Sequence, residues 1–173
     1  MKRTIFAVAC MLTSFSMFAA DKDLSMSGSQ LVYDPDSGQN VVEVADIIGT
    51  DARIQAGKAR FNSGSSPTPK VIELEDGVVI DTTTHTATAD EATFYPLFNA
   101  LSVRSLTVSQ SEPLFTMMDP VQYHCSNGTL YGDGRPVPGN SVCLGGARLT
   151  CSETNPDYMI WEFNATECTL QPE

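Results

Sequence analysis

Basic residues are scarce in this chain: ten Lys and Arg stand against 21 Asp and Glu in 173 residues, a formal charge of -11. A nucleic-acid binder needs cations to displace the counterions along phosphates, so nucleic acid is excluded as a main partner. The same deficit argues against docking by charge on anionic lipid. There is no C-x-x-C pair, and His124 is the one histidine near a cysteine, which disfavours a zinc site. A G-x-S-x-G nucleophile motif is missing too. Past the first twenty residues no apolar run is long enough to cross a bilayer. What is present is 42% hydrophobic and 18% charged, an ordinary globular composition.

Lys2 and Arg3 open the chain, residues 4–20 carry no charge, and Asp21, Lys22 and Asp23 restore polarity. A basic start, an apolar middle and a small-residue end read as a secretion signal over residues 1–20, with cleavage after Ala20. Phe18 is an imperfect residue before that site, and an uncleaved membrane anchor is the competing reading. A lipoprotein at Cys10 is disfavoured because too few apolar residues precede it. Removing Lys2 and Arg3 leaves 10 - 2 = 8 basic residues against 21 acidic ones, or -13. Cys10 leaves with the signal. Cys125, Cys143, Cys151 and Cys168 remain, an even number that reads as two disulfides made in an oxidising compartment. All three pairings are open. A hairpin tip at Asn155-Pro156-Asp157 would slightly favour Cys143 with Cys168 and Cys125 with Cys151.

Residues 21–30 are polar and small and read as a loose segment. From residue 31 to about 108 the apolar positions alternate in short β-type runs, with no lasting helical period. Residues 71–82, VIELEDGVVIDT, decide between two readings of Asp76-Gly77. A two-residue hairpin would put Val78 and Ile80 on the face of Glu73 and Glu75. One continuous strand puts Ile72, Leu74, Val78 and Ile80 together, so Gly77 is read as a bend or bulge. A repeat agrees with this. Ile54, Ala56, Ala59 and Phe61 return 33 residues later (54 + 33 = 87) as Ala87, Ala89, Ala92 and Phe94, with Ile47 matching Ile80 and Val41 matching Leu74. Each A-x-x-A step shifts the period once, the mark of a corner that keeps one face inward. Beyond residue 109, Asn127-Gly128 signals a hairpin, 133–139 reads as a long loop, and 147–151 with 158–163 read as paired strands. The fold expected is all-β: a jelly-roll or sandwich-like roll of repeated strand–bulge–strand units over 31–108, then a disulfide-stapled β-rich extension over 109–173.

Residues 74–94, LEDGVVIDTTTHTATADEATF, resemble the OstA/LptA-like periplasmic domain family of the lipopolysaccharide-transport bridge. The resemblance rests on Gly77, Val78-Val79-Ile80, Ala89-Asp90-Glu91-Ala92 and Phe94, more loosely on residues 54–61, and covers about residues 31–108. It implies a periplasmic β-jelly roll with an apolar groove for acyl chains. It also implies lipopolysaccharide or another acyl lipid as ligand, and other transport-bridge proteins or self-stacking as partners. The four-cysteine tail and the strong acidity depart from that family's pattern.

The expected inner face is Ile54, Ala56, Phe61, Leu74, Val78, Ile80, Ala87, Ala89 and Phe94. These residues either line a groove or fill an ordinary core. Small side chains at 56, 59, 87, 89 and 92 would leave room between layers, whereas a core closed behind Ala56 and Ala89 would sink the carrier reading. Catalysis finds no support. His85 sits among threonines without a partner motif, and His124 neighbours a cysteine expected to be oxidised. Asp34-x-Asp36 lacks the rest of a calcium loop. No catalytic residue, metal or cofactor is assigned. Met159, Trp161 and Phe163 share one strand face, read as core of the stapled region. Two functions are carried forward: a non-enzymatic periplasmic lipid-binding protein similar to the transport bridge, and a secreted disulfide-stapled module that binds another protein.

Overall fold

The computed structural model describes residues 15–19, 22–62, 68–110, 119–144, 146–163, 165 and 168. The protein is all-β. Alternating apolar residues pair into one antiparallel sheet, with short 3-10 turns at Pro96–Phe98 and Pro138–Asn140.

Most of the long strands bend once. β1 (Phe15–Ala19) pairs with β2 (Lys22–Ser27). β2 and β3 (Gln30–Asp34) then lie on the two halves of β4 (Gln39–Ile48), with the break at Gly28-Ser29. β5 (Ala52–Phe61) runs against all of β4. β6 (Ile72–Glu75) takes the second half of β5 and β7 (Val78–Thr82) the first. β8 (His85–Ala89) pairs with β7, and β9 (Ala92–Tyr95) with β6. β10 (Ala100–Val103) and β11 (Ser105–Gln110) follow on β9 and β8. The breaks at Gly28-Ser29, Glu43-Val44, Gly57, Asp76-Gly77, Asp90-Glu91 and Arg104 therefore form one bend line across the sheet.

The bend line divides the sheet into two limbs, and side-chain parity shows why they fold onto each other. In β5 the buried residues are Ile54 and Ala56, then Ala59 and Phe61; in β8–β9 they are Ala87 and Ala89, then Ala92 and Phe94. β10–β11 repeats the step with Leu101 and Val103, then Leu106 and Val108. One extra residue at each bend keeps the apolar face inward on both limbs. In β6–β7 the turn is made by Asp76 and Gly77, both left-handed at φ 64° and 80°. Ile72, Leu74, Val78 and Ile80 stay inside, as a continuous strand requires. The repeat is structural on one limb, where Ile47 pairs with Ile54 as Ile80 pairs with Ala87. On the other the register shifts by one, and Val42 rather than the expected Val41 stands opposite Ala59 as Leu74 stands opposite Ala92. Val44 stands where Gly77 stands in the second copy (44 + 33 = 77), and both have positive φ.

Gly57 marks the tightest point of this line. A Cβ there would lie 2.6 Å from Asp76 Cβ and 2.7 Å from the Asp76 carbonyl oxygen. Neither the backbone nor a Cβ can swing aside. Gly57→Ala is therefore expected to destabilise the protein by about 1–3 kcal/mol, read as a lowered urea midpoint with an unchanged slope.

Past β11 each limb grows separately. One continues through β12 (Val121–Ser126), β13 (Thr129–Gly132) and β14 (Arg135–Pro136). The other takes β15 (Ser141–Leu144), β16 (Ala147–Cys151) and β17 (Met159–Glu162), with β17 on β10. The cysteine region is thus an extension of the same sheet rather than a body packed on its end. Three expectations change. Residues 22–27 are a strand, not loose chain, because Leu24 and Met26 alternate into the core. Asp133-Gly134 is a second tight hairpin turn, both residues with positive φ, where a long loop was expected. The boundary at 108–109 is crossed by strand pairing on both limbs.

Cys125 bonds to Cys151 and Cys143 to Cys168, with Cα separations of 5.8 and 5.4 Å. This is the pairing a 155–157 hairpin tip favoured. Cys125 follows His124, the partner of Ser105, and Cys151 faces Met159, the partner of Val103. The first disulfide therefore continues the bend line where no strand runs from one limb into the other. Nearby, the Gly128 N–H donates to the Pro156 carbonyl at 3.0 Å, joining the two hairpin tips.

Candidate functional site

All nine expected inner-face residues are buried in one apolar cluster that spans both limbs and reaches Leu130, Leu149 and Trp161. The structure brings them together as expected. It does not leave a groove between them: Ala56 is 6% exposed and Ala89 is 9%. Ala59, Ala87 and Ala92 are buried as well. Small side chains that could have spaced the limbs apart instead let them close on each other. At these positions the interior is closed to solvent.

The limbs are joined by backbone along the bend line, and their opposite ends are free. One free end carries the turn at 49–51 between β4 and β5. The other carries the Pro96–Phe98 turn between β9 and β10 and, beside it, Phe163 at the end of β17. They meet through Asn99, whose Nδ2 donates to Asp51 Oδ2 at 2.7 Å and lies 3.4 Å from the Phe163 carbonyl oxygen. The Phe163 N–H in turn donates to the Asn99 carbonyl at 3.1 Å. Asn99 is left-handed at φ 50°, a conformation asparagine tolerates better than most residues. Leu97 and Phe98 project beside this closure, 55% and 78% exposed. Sequence reasoning missed Asp51 and Asn99, which are 48 residues apart and lie in different turns.

Behind the closure, Trp161 is wholly buried and packs on Phe163, ring centroids 5.1 Å apart. Its face is the one expected, shared with buried Met159 and Phe163. Its indole Nε1, however, makes no hydrogen bond within the protein. An unsatisfied buried donor costs about 1–3 kcal/mol.

Several other polar groups make local contacts. Asp34 accepts from the Ser37 hydroxyl at 2.9 Å and from the Asp36 N–H at 3.0 Å, which hold its carboxyl below the usual range. It closes its own turn. His85 Nδ1 lies 2.8 Å from Thr84 Oγ1 at the start of β8. His124 stacks on Tyr131, centroids 5.2 Å apart, and its neighbour Cys125 is oxidised, so no thiolate is there to activate. Burial pushes the Tyr123 hydroxyl up, with the Asp133 charge adding to it. No three metal-ligating side chains gather among the described residues. Two cavities lie on the outer faces near the bend. One of about 290 Å³ is lined by Glu73, Glu75, Glu91 and Arg104 with Leu74 and Ala92, and one of about 390 Å³ by Val79, Thr88, Thr107 and Gln122 with Val78 and Ala89. Both have substantially polar walls.

No protein-family model, no curated protein and no solved structure matches the chain. No helix among the described residues is long and apolar enough to cross a membrane.

Proposed function

We propose that the chain is a non-enzymatic, exported lipid-binding protein of the periplasm that shelters acyl chains between its two limbs. In this reading it is similar to the OstA/LptA-like proteins of the lipopolysaccharide-transport bridge. The observation that carries the reading is the arrangement of the sheet. An unbroken apolar face spans two limbs whose backbone connections lie along one bend line, and Asn99 and Asp51 join their free ends by side chains. Parting the limbs at that end would expose a channel of alanines, isoleucines and phenylalanines. Apolar contact with a chain supplies about 25 cal/mol per Å², so the net charge of -11 does not oppose binding of the hydrocarbon part. The acidic surface leaves anionic head groups in water or bridged by divalent cations.

The core closed behind Ala56 and Ala89 sinks a standing open groove, so the lipid reading requires the limbs to part. The closed core favours a second reading, a disulfide-stapled module that binds another protein and never opens. A fluorescent long-chain acyl ester separates the two. The lipid reading expects saturable enhancement with the full protein, abolished by Ala89→Phe inside β8 and retained by Thr88→Phe on the exposed side of the same strand. Absence of saturable binding, or equal binding by both variants when both keep a cooperative unfolding transition, would leave the interaction module as the better account.

A further inference from the structure

Trp161 is the single tryptophan of the chain. It occupies a place where leucine or phenylalanine would leave no polar atom behind. Its cross-strand partners are Leu101 and Leu149, and its neighbours on the same face are Met159 and Phe163. Every one of these is apolar, and Nε1 is the one buried side-chain donor among the described residues without a hydrogen bond. The indole also lies just behind the point where the limb ends meet, because Phe163 is tied to Asn99 and Asn99 to Asp51. A lone donor in an apolar interior, next to the place where that interior would open, selects for an acceptor that arrives with hydrocarbon attached.

We propose that Trp161 Nε1 is the polar anchor of the interior and donates to the carbonyl oxygen of a neutral acyl ester or amide. This rests on the lipid-binding reading and names the ligand class for it. Charge selects the neutral carbonyl. One uncharged N–H cannot offset the desolvation of a carboxylate in so apolar a place, so a free fatty acid is the poorer ligand. A plain hydrocarbon admitted between the parted limbs would leave Nε1 unsatisfied.

The test uses the full protein and two ligands of equal chain length, an alkane and the corresponding methyl ester. Calorimetry is expected to give the ester about tenfold tighter binding than the alkane, the usual worth of one buried hydrogen bond. Emission from the single indole should shift to longer wavelength with the ester only. Trp161→Phe, which keeps the aromatic bulk, is expected to bind both ligands equally. Equal binding of alkane and ester by the unaltered protein would overturn the anchor, as would an ester preference that survives Trp161→Phe. Either result leaves the lipid reading standing. Failure of both ligands to bind removes that reading and the anchor with it.

Discussion

Replacing Cys125 and Cys151 together by alanine is expected to cost the protein about 3.5 kcal/mol, the entropic worth of closing a loop of that length. The sequence separation is 26 residues. For a domain of this size that corresponds to a fall in Tm of roughly 7–14 °C. Position adds to the loop term. Through β11 the limbs are held together because each bent strand passes from one to the other. Beyond Arg104 no strand does, and Cys125–Cys151 is the covalent link between β12 and β16. Cys143–Cys168 closes a loop of nearly equal separation, 25 residues, and the entropic worth is the same. It ties the tail to the outer strand of one limb, however, and Cys143 is exposed, whereas Cys125 is buried. The double variant at 143 and 168 should therefore unfold at a higher temperature than the one at 125 and 151. Equal melting temperatures would deny the seam any special role.

The second large effect is expected at Ile80. Register places it between Ile54 on β5 and Ala87 on β8, all three on the inner face and all buried. Ile80→Ala should cost about 4 kcal/mol, near the upper end for such a truncation, because Ala87 has no side chain long enough to swing in and fill the space. Its equivalent in the first copy of the repeat, Ile47, sits between Ile54 and Met26. Met26 is flexible and can follow the cavity, so Ile47→Ala should cost measurably less. Urea unfolding of the two variants side by side makes the comparison, and a reversed order would show that the repeat units do not pack as their registers imply.

The bent strands were legible because parity is hard to imitate. Ile72, Leu74, Val78 and Ile80 share a face only if the chain runs straight through Asp76-Gly77, and the A-x-x-A steps at 56–59 and 89–92 mark bends that the structure places on one line. The disulfide pairing was only slightly favoured from sequence, through a hairpin tip at Asn155-Pro156-Asp157 that would set which strands lie opposite. β2 was not seen, since Leu24 and Met26 alternate within a segment whose other residues are all small or polar. The Asp133-Gly134 turn was hidden for a similar reason: its second strand is two residues long and contains Pro136. Nor does sequence pattern specify whether two apolar faces touch. Alanines at 56, 59, 87, 89 and 92 suit a spaced groove and a tightly closed core equally well, and the closed form is found. The Asn99–Asp51 contact, made between turns on different limbs, leaves no periodic trace.

The most direct test of an acyl-binding interior is native mass spectrometry of the full chain, purified gently from the envelope fraction of cells that make it. The lipid-binding account predicts a co-purifying species with the mass of an acyl ester or amide lipid, present with the unaltered protein and with Thr88→Phe but missing from Ala89→Phe. A bare mass for the unaltered protein, with both disulfides intact, would contradict it.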